Sequence, residues 1–146
     1  MLDFKVKAPE QKIQQPDATD RGPGQPHDLT IIGAGPASLT AVIYATRAGL
    51  DTLMLTGPSE GGQLSSTNHI ENYPGFPEGI NGTELAQRFR RQAERFGAHI
   101  IQAAVTEVDF FGSPLLVRTG HEVYESRTVI IATGATPRRL GVPGEK

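Results

Sequence analysis

The segment IIGAGPAS (Ile31–Ser38) constrains the fold more than any other, because its glycines separate an apolar, β-branched stretch from a helix-forming one. The preceding residues DLTII (28–32) predict a short strand, and Ala37–Arg47 predicts a helix that ends at Gly49. The residues DTLML (51–55) predict a second strand. A strand, a tight turn, a helix and a second strand form a β–α–β unit, which implies a parallel sheet.

The glycine turn has the features of a phosphate cradle for a dinucleotide. Gly33 permits a tight turn after the strand, and Gly35 lets the backbone approach a pyrophosphate. Pro36 costs no hydrogen bond early in a helix, whose N-terminus directs free N–H groups at phosphates. Ser38 replaces the third glycine of the dinucleotide fingerprint and is small enough to do so at a modest packing cost. An ordinary turn without a ligand is the alternative that this pattern leaves open.

Composition excludes several classes of function. The chain has 146 residues, no cysteine and a formal net charge of -2. It therefore holds no disulfide, thiolate metal site or redox-active dithiol, and its charge gives no long-range attraction for nucleic acid or acidic membranes. The uncharged stretch Leu29–Thr46 approaches the length of a membrane span, but its glycines, proline and hydroxyl residues favour a strand–turn–helix. We expect a cytoplasmic protein with one folded domain and no metal site.

The chain divides into an N-terminal arm and this domain. Residues 1–27 are rich in proline and glutamine and show no periodicity, so we expect a flexible arm, with the domain at 28–146. Residues Gly57–Gly82 form a long connection, and connections of this length are usually functional or disordered. The next residues, 81–97, predict an amphipathic helix. Its four arginines are expected to form a solvated face, with an anion site as the alternative.

The rest of the chain predicts five further strands. The residues AHIIQ (98–102) predict a third parallel strand. The stretches AVTEVDF (104–110), PLLVRT (114–119) and EVYES (122–126) predict a small antiparallel meander. The residues TVIIATGA (128–135) predict a buried strand that ends in glycine.

The long connection carries residue types that suit a flat, polar-edged ligand. Gly61 and Gly62 permit close approach of such a ligand. Gln63 and Asn72 supply amides that both donate and accept, as the carbonyl and N–H edges of an isoalloxazine ring require.

The end of the second strand differs from the usual nicotinamide-binding pattern. An acid that grips the adenosine ribose is expected there, whereas this chain has Thr56 followed by Gly57. The Thr56 hydroxyl, or Glu60 from the loop, is an alternative partner for the ribose. The difference weakens a general NAD-binding interpretation.

The motifs GGQL, IENYPGFP and ATGATPRRLGVPGE, together with IIGAGPAS, resemble those of the low-molecular-weight thioredoxin reductases. The flavoprotein subunit of alkyl hydroperoxide reductase is similar over the same stretch. The resemblance covers about residues 28–146 and implies the first segment of a three-layer, Rossmann-like α/β domain that binds FAD. It implies FAD contacts from Gly33, Gly35, Pro36 and Ala37 at the pyrophosphate, Thr56 and Gly57 at the ribose, Gly62, Gln63, Leu64, Thr67 and Asn72 along the flavin and ribityl chain, Val105 at the adenine, and Ala132, Thr133 and Gly134 at the last strand.

The resemblance also implies parts that this sequence lacks. Such reductases continue into an NAD(P)H domain with a Cys-x-x-Cys pair and then return with a closing FAD segment, whereas this chain stops at Lys146. In a complete enzyme, electrons pass from NAD(P)H through FAD to the disulfide of a thioredoxin-like protein. We expect no disulfide turnover from this chain alone and no acid, base or other catalytic residue in it. The alternatives are a non-catalytic FAD- or nucleotide-binding module, or a fragment, completed by a second copy or a complementing chain.

Overall fold

A computed structural model describes residues 25–58, 60–136, 138 and 140–144. The elements in chain order are β1 (His27–Ile32), α1 (Pro36–Arg47), β2 (Thr52–Leu55), a 3-10 turn (Gly62–Ser66), α2 (Gly82–Arg95), β3 (His99–Ile101), β4 (Val105–Asp109), β5 (Leu115–Thr119) and β6 (Val123–Ile131). The flexible arm predicted over 1–27 lies outside the described residues except for its last three, and His27 already belongs to β1.

The six strands form one mixed sheet in the order β3-β2-β1-β6-β5-β4. β1 pairs in parallel with β2 and with β6, and β2 pairs in parallel with β3. β4, β5 and β6 pair antiparallel, as the meander predicts. The predicted β–α–β unit and Rossmann-like fold class are therefore confirmed.

The predicted division between EVYES and TVIIATGA is wrong, because both stretches belong to β6. The first half of this strand, Val123–Ser126, pairs antiparallel with β5, and Ser126–Ile131 continues in parallel with β1. No glycine or proline interrupts the strand, and the exposed Arg127 side chain reaches outward to Asp28 at 3.0 Å.

The end of β6 is also less buried than predicted. Ile130 and Ile131 keep 39% and 61% of their surfaces exposed. The reason is that β5 stops pairing with β6 at Ser126, so the last residues of β6 pair only with β1 in the described part of the chain.

The alternating side chains of the parallel strands separate two cores. Leu29, Ile31 and Met54 face the helices, where they pack with residues that include Val42 and Leu85. The intervening residues Ile32, Leu53 and Leu55 pack on the opposite face against Val117 of β5. The helices therefore cover one face of the parallel strands, and residues of the meander strands pack against the other face.

The long connection is ordered by local hydrogen bonds. Asn81 caps α2, since its side-chain oxygen accepts from the N–H groups of Thr83 and Glu84 at 3.0 and 3.3 Å. The Asn81 amide donates to the Asn68 carbonyl at 3.0 Å, and Ile70 forms an antiparallel bridge with Ile80. These contacts fix the connection beside the carboxyl ends of β1 and β2.

Candidate functional site

The first glycine turn (Gly33–Gly35) is fitted tightly to the end of β6. Gly33 has φ +134, and a Cβ there would overlap the carbonyl oxygen of Ala132. The Ala132 N–H donates to the Ile32 carbonyl at 2.8 Å, and the Gly33 N–H donates to the Leu55 carbonyl at 2.9 Å. Only glycine fits at position 33, because both the space and the backbone conformation exclude a side chain.

The amino end of α1 is open. Gly35 is the N-cap residue, no side chain caps it among the described residues, and the first turn contains no acid. A Cβ at Gly35 would meet no atom within 4 Å. Pro36 and Ala37 at the start of the helix are exposed. The free N–H groups and positive dipole end of α1 therefore face open space, as an anion site requires.

A second glycine turn (Gly61–Gly62) packs on the first. Gly62 has φ +56, and a Cβ there would approach the Gly35 Cα to 3.0 Å. The neighbouring Gln63 donates from its side-chain amide to the Ala135 carbonyl at 3.0 Å. Three segments that are distant in sequence thus meet at the open end of α1: Gly33–Ala37, Gly61–Leu64 and Ala132–Ala135.

Three further predicted contact residues, Thr56, Thr67 and Leu64, differ in accessibility. Thr56 is buried, and its hydroxyl donates to the Gly57 carbonyl at 3.2 Å. The Thr67 hydroxyl donates to the Gln63 carbonyl at 2.9 Å, which closes the 3-10 turn. The Leu64 side chain is half-buried and packs on the helix-side core.

The other predicted contact residues lie in β4, in the long connection and after β6. Val105 begins β4 and is half-buried in the meander-side core, beside Ala103, whose carbonyl accepts from the Gly57 N–H at 3.1 Å. Asn72 is exposed in the connection. Thr133 and Gly134 follow β6 and are exposed, and Gly134 has φ +71.

Sequence reasoning missed an ionic contact behind the second glycine turn. Arg90 of α2 donates to the carboxylates of Glu60 and Glu94, and the Nε–Oε1 distance to Glu94 is 2.8 Å. Hydrogen bonds to Glu60 first, and then to Glu94, raise the pKa of Arg90. Arg90 is half-buried on the arginine face and pairs with both carboxylates, so the Glu60 carboxylate already has a partner within the chain. Because Glu60 and Arg90 are 30 positions apart, no local pattern signals their pairing.

Metal-ligating clusters and membrane-spanning helices are the two remaining possibilities for the described residues. These residues contain no group of three or more histidine or acidic residues placed to hold a metal ion. The described helices also include none that is long and apolar enough to cross a membrane.

The mixed sheet with helices on one face and the glycine turn at the start of α1 define an α/β domain of the Rossmann class. Residues 27–146 match the pyridine nucleotide-disulphide oxidoreductase family, and the chain belongs to that family. A thioredoxin reductase from Mycolicibacterium smegmatis is 49% identical over 120 residues, which are 82% of this chain and 39% of that protein.

Solved structures agree with this assignment. The thioredoxin reductase from Streptococcus pyogenes has a TM-score of 0.75 and 44% identity, and the match covers 81% of this chain and 38% of that one. The Lactococcus lactis thioredoxin reductase has a TM-score of 0.76 and 38% identity over 81% of this chain and 39% of that one. The resemblance to thioredoxin reductases is confirmed, and the chain spans about two fifths of the length of these relatives.

Proposed function

We propose that this chain is the FAD-binding segment of a thioredoxin-reductase-like flavoprotein oxidoreductase. The observation that carries the proposal is the meeting of two glycine turns and the segment after β6 around the uncapped start of α1. A dinucleotide pyrophosphate fits this end, because backbone N–H groups face open space and no acid in the first turn opposes its charge. Family membership favours FAD as the dinucleotide.

The proposed contacts follow the chain through the site. The phosphates are held by Gly33, Gly35, Pro36 and Ala37, the ribose by Thr56 and Gly57, the flavin and ribityl chain by Gly62, Gln63, Leu64, Thr67 and Asn72, the adenine by the backbone of Val105, and the closing side by Ala132, Thr133 and Gly134. When bound, FAD supplies the two-electron chemistry that this chain's side chains lack. The Gln63 side chain is held by its bond to Ala135, which leaves its amide oxygen to accept from a ring N–H.

The whole reductase activity needs groups outside this chain. A dithiol relays electrons in the proposed enzyme, and the chain contains no cysteine. NAD(P)H as donor, a thioredoxin-like protein as acceptor and a cytoplasmic location belong to the same proposal.

A second candidate is a non-catalytic FAD- or nucleotide-binding module completed by a partner chain or a second copy. The observation that favours it is the edge of β6 after Ser126, which no strand pairs with on the side away from β1 among the described residues. Ile130 and Ile131 are exposed at this edge, where a further strand could pair.

Flavin uptake tests both candidates. The purified chain is incubated with FAD, separated from free FAD by gel filtration and examined for flavin absorbance. We expect FAD to co-elute with the chain, and a chain that emerges colourless would contradict FAD binding in either candidate. A second assay measures NADPH-dependent reduction of a disulfide substrate by the chain. We expect no turnover from the chain alone. Turnover would contradict the proposal that the dithiol which relays electrons lies outside this chain.

A further inference from the structure

The second glycine turn (Gly61–Gly62) lies between α2 and the first glycine turn and is close to both. On one side, a Cβ added at Gly61 would lie 3.0 Å from the Ala86 Cβ of α2. On the other side, a Cβ added at Gly62 would lie 3.0 Å from the Gly35 Cα. The position of the second turn relative to Gly35 therefore depends on its contacts with α2.

An ion pair joins the residue before this turn to α2. The Glu60 carboxylate accepts a hydrogen bond from Arg90, which also donates to Glu94 at 2.8 Å. The Arg90 side chain is 34% exposed, so solvent screens the pair less than it screens a fully exposed one. The Ser65 hydroxyl donates to the Glu60 carbonyl at 2.5 Å and supports the same residue from the other end of the turn. Arg90 therefore fixes Glu60 at the point where the chain enters the second glycine turn.

The first glycine turn (Gly33–Gly35) is held by contacts that do not involve this pair. The Gly33 N–H donates to the Leu55 carbonyl at 2.9 Å, on the neighbouring strand of the sheet. Loss of the Glu60–Arg90 pair is therefore expected to loosen the second turn and to leave the first in place. The proposed pyrophosphate contacts depend on the first turn, whereas the proposed flavin and ribityl contacts of residues 62–64 depend on the second.

We propose that Arg90 is a positioning residue for the FAD site: through Glu60 it holds the second glycine turn beside the first before FAD binds. Because the turn is ordered in advance, less conformational freedom is lost on binding, and the affinity for FAD is higher. Arg90 is not itself one of the proposed FAD contacts. The inference rests on the proposed function and extends it to a residue of α2.

Arg90→Met tests the proposal with two ligands that share adenosine and two phosphates. FAD and ADP are titrated separately into the full chain and followed by isothermal titration calorimetry. We expect the Kd for FAD to rise about three- to fivefold in Arg90→Met. The Kd for ADP is expected to stay within about 1.5-fold, because ADP lacks the flavin and ribityl groups that residues 62–64 are proposed to hold. Arg90→Lys keeps a cation beside Glu60, so its Kd for FAD is expected to lie between those of the unchanged chain and Arg90→Met.

Arg91→Met is the matched control. Arg91 is the exposed neighbour of Arg90 on α2, and its side chain donates within its own helix, to the Gln87 carbonyl at 3.4 Å. Its removal takes the same charge from the same helix and leaves the Glu60–Arg90 pair in place. We expect Arg91→Met to bind FAD and ADP as the unchanged chain does.

A further measurement needs no FAD. Backbone ¹⁵N order parameters of Gly61 and Gly62 are expected to fall below about 0.85, the value of rigid backbone, in Arg90→Met and not in Arg91→Met. Unchanged FAD affinity in Arg90→Met, an equal rise in the Kd for ADP, or an unchanged order of the turn would overturn the inference and leave the proposed function intact. If the unchanged chain binds no FAD, the proposed function fails and the inference fails with it.

Discussion

The Ser38 hydroxyl donates a hydrogen bond to the Ala132 carbonyl across 94 positions of sequence, at 3.2 Å. Ser38 is fully buried in the first turns of α1, and Ala132 follows β6. The residue that replaces the third glycine of the fingerprint therefore does more than fit a small space. It ties the first turn of α1 to the segment that follows β6.

Ser38→Ala tests this bond. The substitution removes the donor and leaves the Ala132 carbonyl with one partner fewer, so we expect the free energy of unfolding to fall by about 1–2 kcal/mol. Urea denaturation followed by circular dichroism measures it. Ser66→Ala is the control, because the Ser66 hydroxyl bonds within an exposed turn, at 3.0 Å to the Gln63 carbonyl. Equal losses of unfolding free energy in the two variants would show that burial of the Ser38 hydrogen bond adds no stability.

Gly35→Ala tests the phosphate cradle. The added methyl group meets no protein atom within 4 Å, but it projects into the space in front of α1 that we assign to the pyrophosphate. We expect the affinity for FAD to fall at least about tenfold, while the free energy of unfolding changes by no more than about 1 kcal/mol. FAD fluorescence titration measures the first quantity, and urea denaturation the second.

Gly120→Ala is the matched control for that substitution. Gly120 also has no atom within 4 Å of a built Cβ and has no positive φ, but it lies in the turn between β5 and β6. Its FAD affinity is expected to stay at the level of the unchanged chain. If Gly35→Ala bound FAD as tightly as the unchanged chain, the assignment of the pyrophosphate to this end of α1 would be contradicted.

The parts of the fold that depend on local sequence patterns could be predicted from the sequence. The site could be predicted only in part. Glycines at 33 and 35 between an apolar strand and a helix, followed by the apolar residues 51–55, predict the β–α–β unit. The contact of Gly62 with Gly35 and the bond from Gln63 to Ala135 join distant segments, so no spacing reveals them.

The strand boundary predicted between EVYES and TVIIATGA is wrong because a charged residue does not end a strand when its side chain points outward. Arg127 lies between the two stretches, its side chain reaches Asp28, and the backbone of β6 runs through it. For Arg90, helical periodicity cannot show which arginine of α2 faces Glu60, because that partner is remote in sequence.

The Glu60–Arg90 pair is expected to hold the second glycine turn against α2. A double-mutant cycle of Glu60→Gln and Arg90→Met isolates the coupling, for which we expect about 0.5–1 kcal/mol in low salt because both side chains are partly exposed. The Glu84–Arg88 pair, four positions apart on the exposed side of α2, gives the reference value of about 0.3–0.5 kcal/mol. Coupling for Glu60–Arg90 no larger than for this reference would show that the pair does not anchor the turn.

Tyr124 gives the chain a specific pH dependence. Burial first, and then the nearby Glu122, raise the pKa of Tyr124 to about 12 from an ordinary value of 10.0. The neutral phenol is thus favoured by the folded state, so this contribution to stability is complete below pH 10 and is lost as the pH rises towards 12. We expect Tyr124→Phe to flatten the fall of the free energy of unfolding between these pH values, measured by urea denaturation. An equally steep fall in the variant would exclude Tyr124 as its cause.

The free side of β6 is expected to make the isolated chain self-associate. After Ser126 the strand pairs only with β1 among the described residues, and Ile131 is 61% exposed at its end. Unpaired backbone groups beside exposed apolar side chains recruit another strand, and a charged side chain at such an edge opposes this pairing. We therefore expect Ile131→Lys to lower the fraction of dimer or larger species, measured by sedimentation velocity over a range of concentrations.

Val123→Lys is the control, since Val123 is 51% exposed in the half of β6 that β5 already covers. A chain that stays monomeric at every concentration, or equal effects of the two lysines, would show that this edge does not drive association.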